Sequence, residues 1–222
     1  MIPAVDYEQL LVKLAHAFLS RHAKDASAQV RLVGIVLARP SSPLAKSEIL
    51  PAIADWHQRS GNHIDFFFAG YDRYRHRRGF VPVAIPGMED WGYSAELFDK
   101  FRQDVESRTK WRYSGACDLL LSNARFNDAD TTASVNFSST IVCQLDSMKD
   151  DKAIPSVERF FESIFRFAES SDGKDPAWGF SDSQGMSIAG SALKRVVLSL
   201  LPKNLHTEYR KAEHFAIRDV AA

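Results

Sequence analysis

Two short apolar runs on either side of a helical pattern are the feature that most restricts how this chain can fold. Residues 30–38 read VRLVGIVLA and residues 63–71 read HIDFFFAGY. Runs of this length and composition favour strands that are covered on both faces. Between them, residues 50–57 show helical spacing, with Pro51 in the first turn or at a kink. Because strand–helix–strand connections are almost always right-handed, the two strands are predicted to be parallel neighbours in one sheet.

The remaining patterns add a hairpin and further helices to this parallel pair. Residues 117–126 and 133–145 are apolar stretches on either side of the turn NDADT, and they predict an antiparallel hairpin. Asp6 and Ser94 each precede a helical pattern and are suited to cap it. Apolar residues at helical spacing predict helices at residues 7–18, 94–105, 157–168 and 191–201, and a polar helix is expected around residues 205–215.

These elements together predict an α/β protein with a central mixed β-sheet and helices on both faces. An N-terminal helix is expected within residues 1–27. The core is expected to span residues 28–170 and to contain an insertion loop at 72–93, rich in proline and glycine. Residues 171–222 are expected to form a loop and a helical C-terminal extension.

Composition narrows the functional classes. The 28 Lys and Arg residues balance the 28 Asp and Glu residues, so a surface that binds nucleic acid or membrane over its whole extent is excluded. The two cysteines are not spaced as a pair, which fits a reducing compartment rather than a disulfide scaffold. The sequence shows neither a signal-peptide pattern nor a run of about 18 apolar residues, and we expect a soluble cytoplasmic protein without membrane contact.

Positive charge is nevertheless concentrated in one segment, GYDRYRHRRGF at residues 70–80. This segment follows the second predicted strand, and loops in that position commonly carry ligand sites. Arginine and aromatic residues are also enriched in protein interfaces, so a protein partner or a second copy of the chain is the expected ligand. Nucleic acid bound by the 73–78 arginines, and a solvated turn paired with Glu89 and Asp90, are the alternatives. The candidate binding residues are Tyr71, Arg73, Tyr74, Arg75, His76, Arg77, Arg78 and Trp91.

The order of elements over residues 28–170 resembles the thioredoxin-like fold superfamily. The best local match is VGIVLARPSSPLAKSEILPAIADWHQRSGNHIDFFFAGYD, in which Pro51 and Asp72 occupy plausible equivalents of family positions. Where that family carries Cys-x-x-Cys, this chain has Arg39 to Pro43, and YSGACDLLL lacks the family's cis-proline. Disulfide exchange requires a thiolate nucleophile. The resemblance therefore implies a redox-inactive binding or adaptor module. Its candidate binding segments are the 70–93 loop and the turn ARPSSPLAK at residues 38–46.

Cys117 is the weak catalytic candidate, because it lies at the start of a predicted strand near where that family binds thiol substrates. A thiol-dependent transferase or hydrolase that uses Cys117, with the arginine segment as an anion clamp, is therefore an alternative function. The other interpretation is a small buried apolar residue, since no basic neighbour in the local sequence would lower its pKa. His63 and Asp65 lack a third ligand at metal-site spacing, so neither a metal nor a cofactor is expected.

Overall fold

The protein is described by a computed structural model that covers residues 1–22, 30–60, 63–73, 78–127, 129, 131–170, 175–184 and 213–222. Its strands are β1 (Ile2–Ala4), β2 (Val30–Leu37), β3 (Ile64–Ala69), β4 (Tyr71–Arg73), β5 (Val81–Pro82), β6 (Trp91–Tyr93), β7 (Asp118–Asn127), β8 (Thr132–Gln144) and β9 (Ile217–Arg218). Its α-helices are α1 (Tyr7–His22), α2 (Ile53–Ser60), α3 (Ala95–Arg108), α4 (Leu145–Asp150), α5 (Val157–Ser170) and α6 (Pro176–Ser183).

Over the described residues, the main sheet has six strands in the order β1-β3-β2-β7-β8-β9. Strands β1 and β2 both run parallel to β3, which confirms the predicted parallel pair. Strand β7 runs antiparallel to both β2 and β8, so the predicted hairpin is also confirmed. The sheet is therefore mixed, and its polarity changes between β2 and β7.

Helices cover both faces of this sheet. Phe66 of β3 is the register partner of Gly34, and its ring lies 4.9 Å from that of Phe161 in α5. Arg31 projects from the opposite face of β2, because side chains alternate along a strand. Its guanidinium lies 5.8 Å from the ring of Phe18 in α1. The sheet is thus the middle layer between α5 and α1.

Local sequence signals explain where several helices begin. The amide of Gln9 donates to Asp6 Oδ1 at 2.7 Å, and the Gln9 side chain accepts from the Val5 amide at 3.1 Å. The Leu97 amide donates to Ser94 Oγ at 3.4 Å. Both predicted caps are therefore formed.

Pro51 lies in a 3₁₀ turn, Leu50–Ala52, where it does not interrupt the helical hydrogen bonds of α2.

The predicted insertion loop at 72–93 contains a second, small sheet in the order β4-β6-β5. Gly70 joins β3 to this sheet with φ at +79°, a conformation that favours glycine. A Cβ atom added there would lie 2.6 Å from the Cβ of Phe98. The small sheet is therefore held close to the start of α3.

Both ends of the chain differ from the sequence-based expectation. Strand β1 precedes the N-terminal helix, which begins at Tyr7. Residues 176–183, expected as loop, form α6, whose first turn is capped by the Asp175 carboxylate accepting from the Trp178 amide at 3.0 Å. Strand β9 extends the main sheet beyond β8. The helix predicted at 191–201 and residues 205–212 of the helix predicted at 205–215 lie outside the described residues.

No helix within the described ranges is both long and apolar enough to span a bilayer.

Candidate functional site

The candidate site lies where the sheet changes polarity. Leu37 at the end of β2 pairs with Asp118 at the start of β7, so the turn after β2 meets the segment that precedes β7. Ligand sites of α/β proteins are commonly found at the carboxyl ends of parallel strands, where the strand order reverses. Six side chains gather here, and we call them the Cys117 cluster: Arg39, Ser42, Tyr71, Tyr93, Tyr113 and Cys117.

Ser42 joins the cluster to the helical segment that follows β2. Its Oγ accepts a hydrogen bond from the Ala45 amide at 3.2 Å and lies 3.1 Å from Cys117 Sγ. Three residues further on begins a π-helical turn, Ala45–Ile49, a rare conformation that is frequent at functional sites. The serine hydroxyl is therefore both a helix cap and the polar neighbour of the cysteine thiol.

Cys117 is fully buried and is fixed by contacts with α4. Its amide donates to Asp146 Oδ2 at 2.9 Å, and its carbonyl accepts from the Leu145 amide at 2.8 Å. Burial raises the pKa of the Cys117 thiol to about 11, although the hydrogen bond with Ser42 opposes this increase. The thiol is consequently protonated at neutral pH, and a protonated thiol is a poor nucleophile.

Three tyrosines surround the cysteine and the turn after β2. Tyr71 donates its hydroxyl to the carbonyl of Ala38 at 2.8 Å, and Tyr113 donates to the carbonyl of Ala116. The Tyr93 hydroxyl is buried and makes no hydrogen bond with the described residues. Burial raises the pKa of all three phenols, that of Tyr113 to about 12, so they remain neutral hydrogen-bond donors.

Arg39 supplies the positive charge of the cluster. Its Nη2 donates to Asp99 Oδ1 at 2.7 Å, and the guanidinium lies 4.6 Å from the centre of the Phe98 ring. About 35% of the Arg39 side chain is exposed, so the charge can reach a ligand at the surface. The cluster thus combines neutral hydroxyls, held within the protein, with one accessible cation, which suits binding better than covalent chemistry.

The sequence-predicted binding residues separate into buried and exposed groups. Tyr71 and Trp91 are buried, and their rings pack against each other 6.1 Å apart. Arg73 is exposed and pairs with Asp90 at 3.1 Å, while Arg78 is exposed without an ion pair to any described residue. Residues 74–77, which include Tyr74, Arg75, His76 and Arg77, lie outside the described part of the chain.

The sequence analysis pointed to two segments of the cluster, the turn ARPSSPLAK with Arg39 and Ser42 and the 70–93 loop with Tyr93, without singling out these three residues. A polar turn directly after a buried strand is a common ligand position. Tyr113 lies outside both segments and gave no signal, since it reaches the cluster only through side-chain packing. No three His, Cys, Asp or Glu side chains within the described ranges are grouped to hold a metal ion.

Comparisons of the chain with protein-family models, with curated proteins and with solved structures found no match.

Proposed function

We propose that this chain is a redox-inactive binding module of thioredoxin-like architecture, and that it binds a protein partner at the edge of the sheet where β2 and β3 end. The order β3-β2-β7-β8 within the main sheet supports the architecture. A β-α-β unit places two parallel strands side by side, a helix follows β2, and an antiparallel hairpin adds β7 and β8. This is the arrangement implied by the resemblance drawn from the sequence.

The contact between Ser42 and Cys117 is the observation that carries the proposal. In a redox-active relative, the turn after this strand would hold the nucleophilic thiol. Here it holds a serine hydroxyl, 3.1 Å from a cysteine thiol whose pKa is raised to about 11. Cys143 is a second free thiol, but it is buried in β8 opposite Leu119. The geometry favours recognition over disulfide exchange or thiol catalysis.

The proposed binding surface extends from the Cys117 cluster onto the small sheet. Because β2 and β3 are parallel neighbours, Arg39 and strand β4 leave the main sheet at the same edge. The hydrogen bond from Tyr71 to Ala38 ties β4 to the end of β2. Arg73 and Val81 are exposed on the small sheet, with 66% of Val81 accessible to solvent.

The chemistry of this surface indicates an acidic partner. Arg39 and Arg73 pair with Asp99 and Asp90, but all four side chains are at least one-third exposed. Exposed pairs of this kind contribute at most about 1 kcal/mol, so a partner's carboxylates can replace them.

Pro82 has no amide hydrogen to donate at the outer edge of β5, which disfavours added-strand pairing. Recognition would therefore depend on side chains.

Photo-crosslinking in the native cell tests this proposal. A benzophenone amino acid placed at Val81 should capture a partner protein, whereas the same group at Val12 of α1, which is 56% exposed, should not. Adding Arg73→Gln and Arg78→Gln should reduce capture at least several-fold. The matched control is Arg159→Gln with Arg166→Gln, two exposed arginines of α5, which should leave capture unchanged.

Equal capture at Val81 and Val12, or capture that is insensitive to the Arg73 and Arg78 substitutions, would overturn the proposal. A crosslinked species that disappears on nuclease treatment would instead support nucleic-acid binding through the arginine segment.

A further inference from the structure

A polar cleft of about 280 Å³ is lined by residues of β8, α4 and the C-terminal segment, none of which belongs to the Cys117 cluster. One wall is formed by α4 and the residue after it, through Ser147 and Asp151, and the opposite wall by the C-terminal segment from Glu213 to Arg218. Helix α4 borders both sites, because Asp146 accepts from the Cys117 amide and the next residue, Ser147, lines the cleft. The volume is small for a drug-sized ligand and suits a small metabolite.

Two opposite charges line this cleft without an ion-pair partner among the described residues. Arg218 makes one long hydrogen bond, from Nη2 to the backbone carbonyl of Glu213 at 3.4 Å. The Glu213 carboxylate makes neither a hydrogen bond nor an ion pair with described side chains, and it lines the same cleft. The two charged residues thus line one cleft, and no described side chain neutralises either of them.

The other polar groups of the cleft are already organised. His214 Nε2 lies 2.9 Å from Asp151 Oδ2, and the His214 side chain is only 14% exposed. This contact leaves Nδ1 as the ring nitrogen available to a ligand. Ser147 and Gln144 add groups that can donate and accept hydrogen bonds, and Val142 provides an apolar wall.

We propose that this cleft binds a small zwitterion of the α-amino-acid class. The ligand's carboxylate would pair with the Arg218 guanidinium, and its ammonium would pair with the Glu213 carboxylate. Val142 would contact a short side chain, and Ser147 would hydrogen-bond the bound carboxylate. The site is independent of the protein surface proposed above, so either proposal can fail without the other.

Titration of the ¹⁵N-labelled protein with three probes of similar size tests the inference. L-Alanine carries both charges, propionate lacks the ammonium group, and ethylamine lacks the carboxylate. Alanine should shift the amide resonances of Ser147, Asp151 and His214 with a Kd on the order of 1 mM. Propionate and ethylamine should bind at least about 10-fold more weakly, since each loses one charge-assisted hydrogen bond.

Substitutions locate the binding groups. Arg218→Gln and Glu213→Gln should each weaken alanine binding at least about 10-fold, the loss expected from removing one charged contact. The matched control, Arg166→Gln, removes an arginine that is 78% exposed on α5 and should leave the affinity unchanged. Unaltered amide spectra away from the cleft would show that each variant is folded.

Three results would overturn the inference. The first is propionate binding as tightly as alanine, which would indicate a simple anion site. The second is alanine affinity that survives both Arg218→Gln and Glu213→Gln. The third is the absence of localised shifts with alanine at concentrations on the order of 50 mM.

Discussion

Cys117 shows how the surroundings of one residue set its chemistry. The thiol is fully buried, and burial is the largest cause of its raised pKa. The carboxylate of Asp146 lies close by and acts in the same direction, whereas the Ser42 hydroxyl opposes it. The balance disfavours the thiolate, so the residue is suited to packing rather than to catalysis.

We expect Cys117 to resist alkylation in the folded protein. At pH 8 a pKa of about 11 in place of the ordinary 9.0 lowers the thiolate fraction about 100-fold, and burial slows the reaction further. Iodoacetamide labelling followed by peptide mass spectrometry should show the unfolded protein labelling at least about 100-fold faster than the native protein. Native labelling at the rate of an exposed cysteine would contradict this expectation and would favour the thiol-enzyme alternative.

The same shift predicts how stability depends on alkaline pH. The folded pKa lies above the unfolded value, so the folded state holds the proton more tightly. The resulting stabilisation is fully present below about pH 9 and is lost as the pH rises through about 11. Urea denaturation of the wild type and of Cys117→Ala should therefore converge in free energy over this range.

Sequence reasoning placed Cys117 correctly at the start of a strand but not its chemical partners. Ser42 is 75 positions away and Asp146 is 29, and both reach the thiol through sheet register. The burial of Tyr71 and Trp91 was missed for a related reason. Aromatic residues beside arginines are typical of an exposed interface, and only tertiary packing shows that these two rings belong to the core.

Among the secondary-structure elements, β2 is restricted on all sides, because it has a neighbouring strand at each edge and lies in a sheet with helices on both faces. Gly34 lies at its centre, opposite Phe66 in β3 and Leu121 in β7. A Cβ atom at Gly34 would lie 2.4 Å from Cδ1 of Phe66 and 3.1 Å from Leu119. The glycine therefore makes room for the ring that packs against α5.

Gly34→Ala is expected to destabilise the fold by about 1–3 kcal/mol, the usual cost of overpacking a core. Urea unfolding monitored by circular dichroism measures this loss. A smaller side chain at position 66 should relieve the clash. The double variant Gly34→Ala with Phe66→Leu should therefore be less destabilised than the sum of the two single changes. Strict additivity would show that the Phe66 ring is not the group in conflict.

The long, periodic elements could be predicted from sequence, and the short ones could not. The apolar run at 30–38 and the stripe at 157–168 are long enough to show their period, and both elements are present as β2 and α5. Strands β4, β5 and β6 contain two or three residues each, too few for a periodic signal. They were therefore expected to be loop, although their pairing builds part of the proposed binding surface.

On the scale of the whole molecule, the C-terminal segment closes the sheet on its β8 side. Strand β9 pairs with β8 through Ile217 and Arg218. The Val220 amide donates to the carbonyl of Phe137 at 3.0 Å, and the Val220 carbonyl accepts from Lys110 at 2.7 Å. Phe215 is buried, with its ring 5.8 Å from that of Phe160 in α5. The segment thus connects β8, α3 and α5.

Phe215→Ala should detach this segment and should cost about 3–5 kcal/mol, the usual effect of truncating a buried aromatic residue. Because the β8 edge would then be exposed, the variant should also associate at high concentration. Urea unfolding and size-exclusion chromatography with light scattering measure the two effects. The control is Trp178→Ala in α6, whose side chain is 54% exposed and should cost well under half as much. Equal losses would show that Phe215 does not anchor the segment.

The position of β9 in the chain has a consequence for biosynthesis. Strands β1, β2 and β3 all lie within the first 69 residues, so that part of the sheet can assemble early on the ribosome. Among the described strands, the one that pairs with the other side of β8 begins at Ile217, 73 positions after β8 ends at Gln144. Until Ile217 and Arg218 are translated, the part of β8 that they pair with is open to another nascent chain. Slower translation of the intervening codons would lengthen this period.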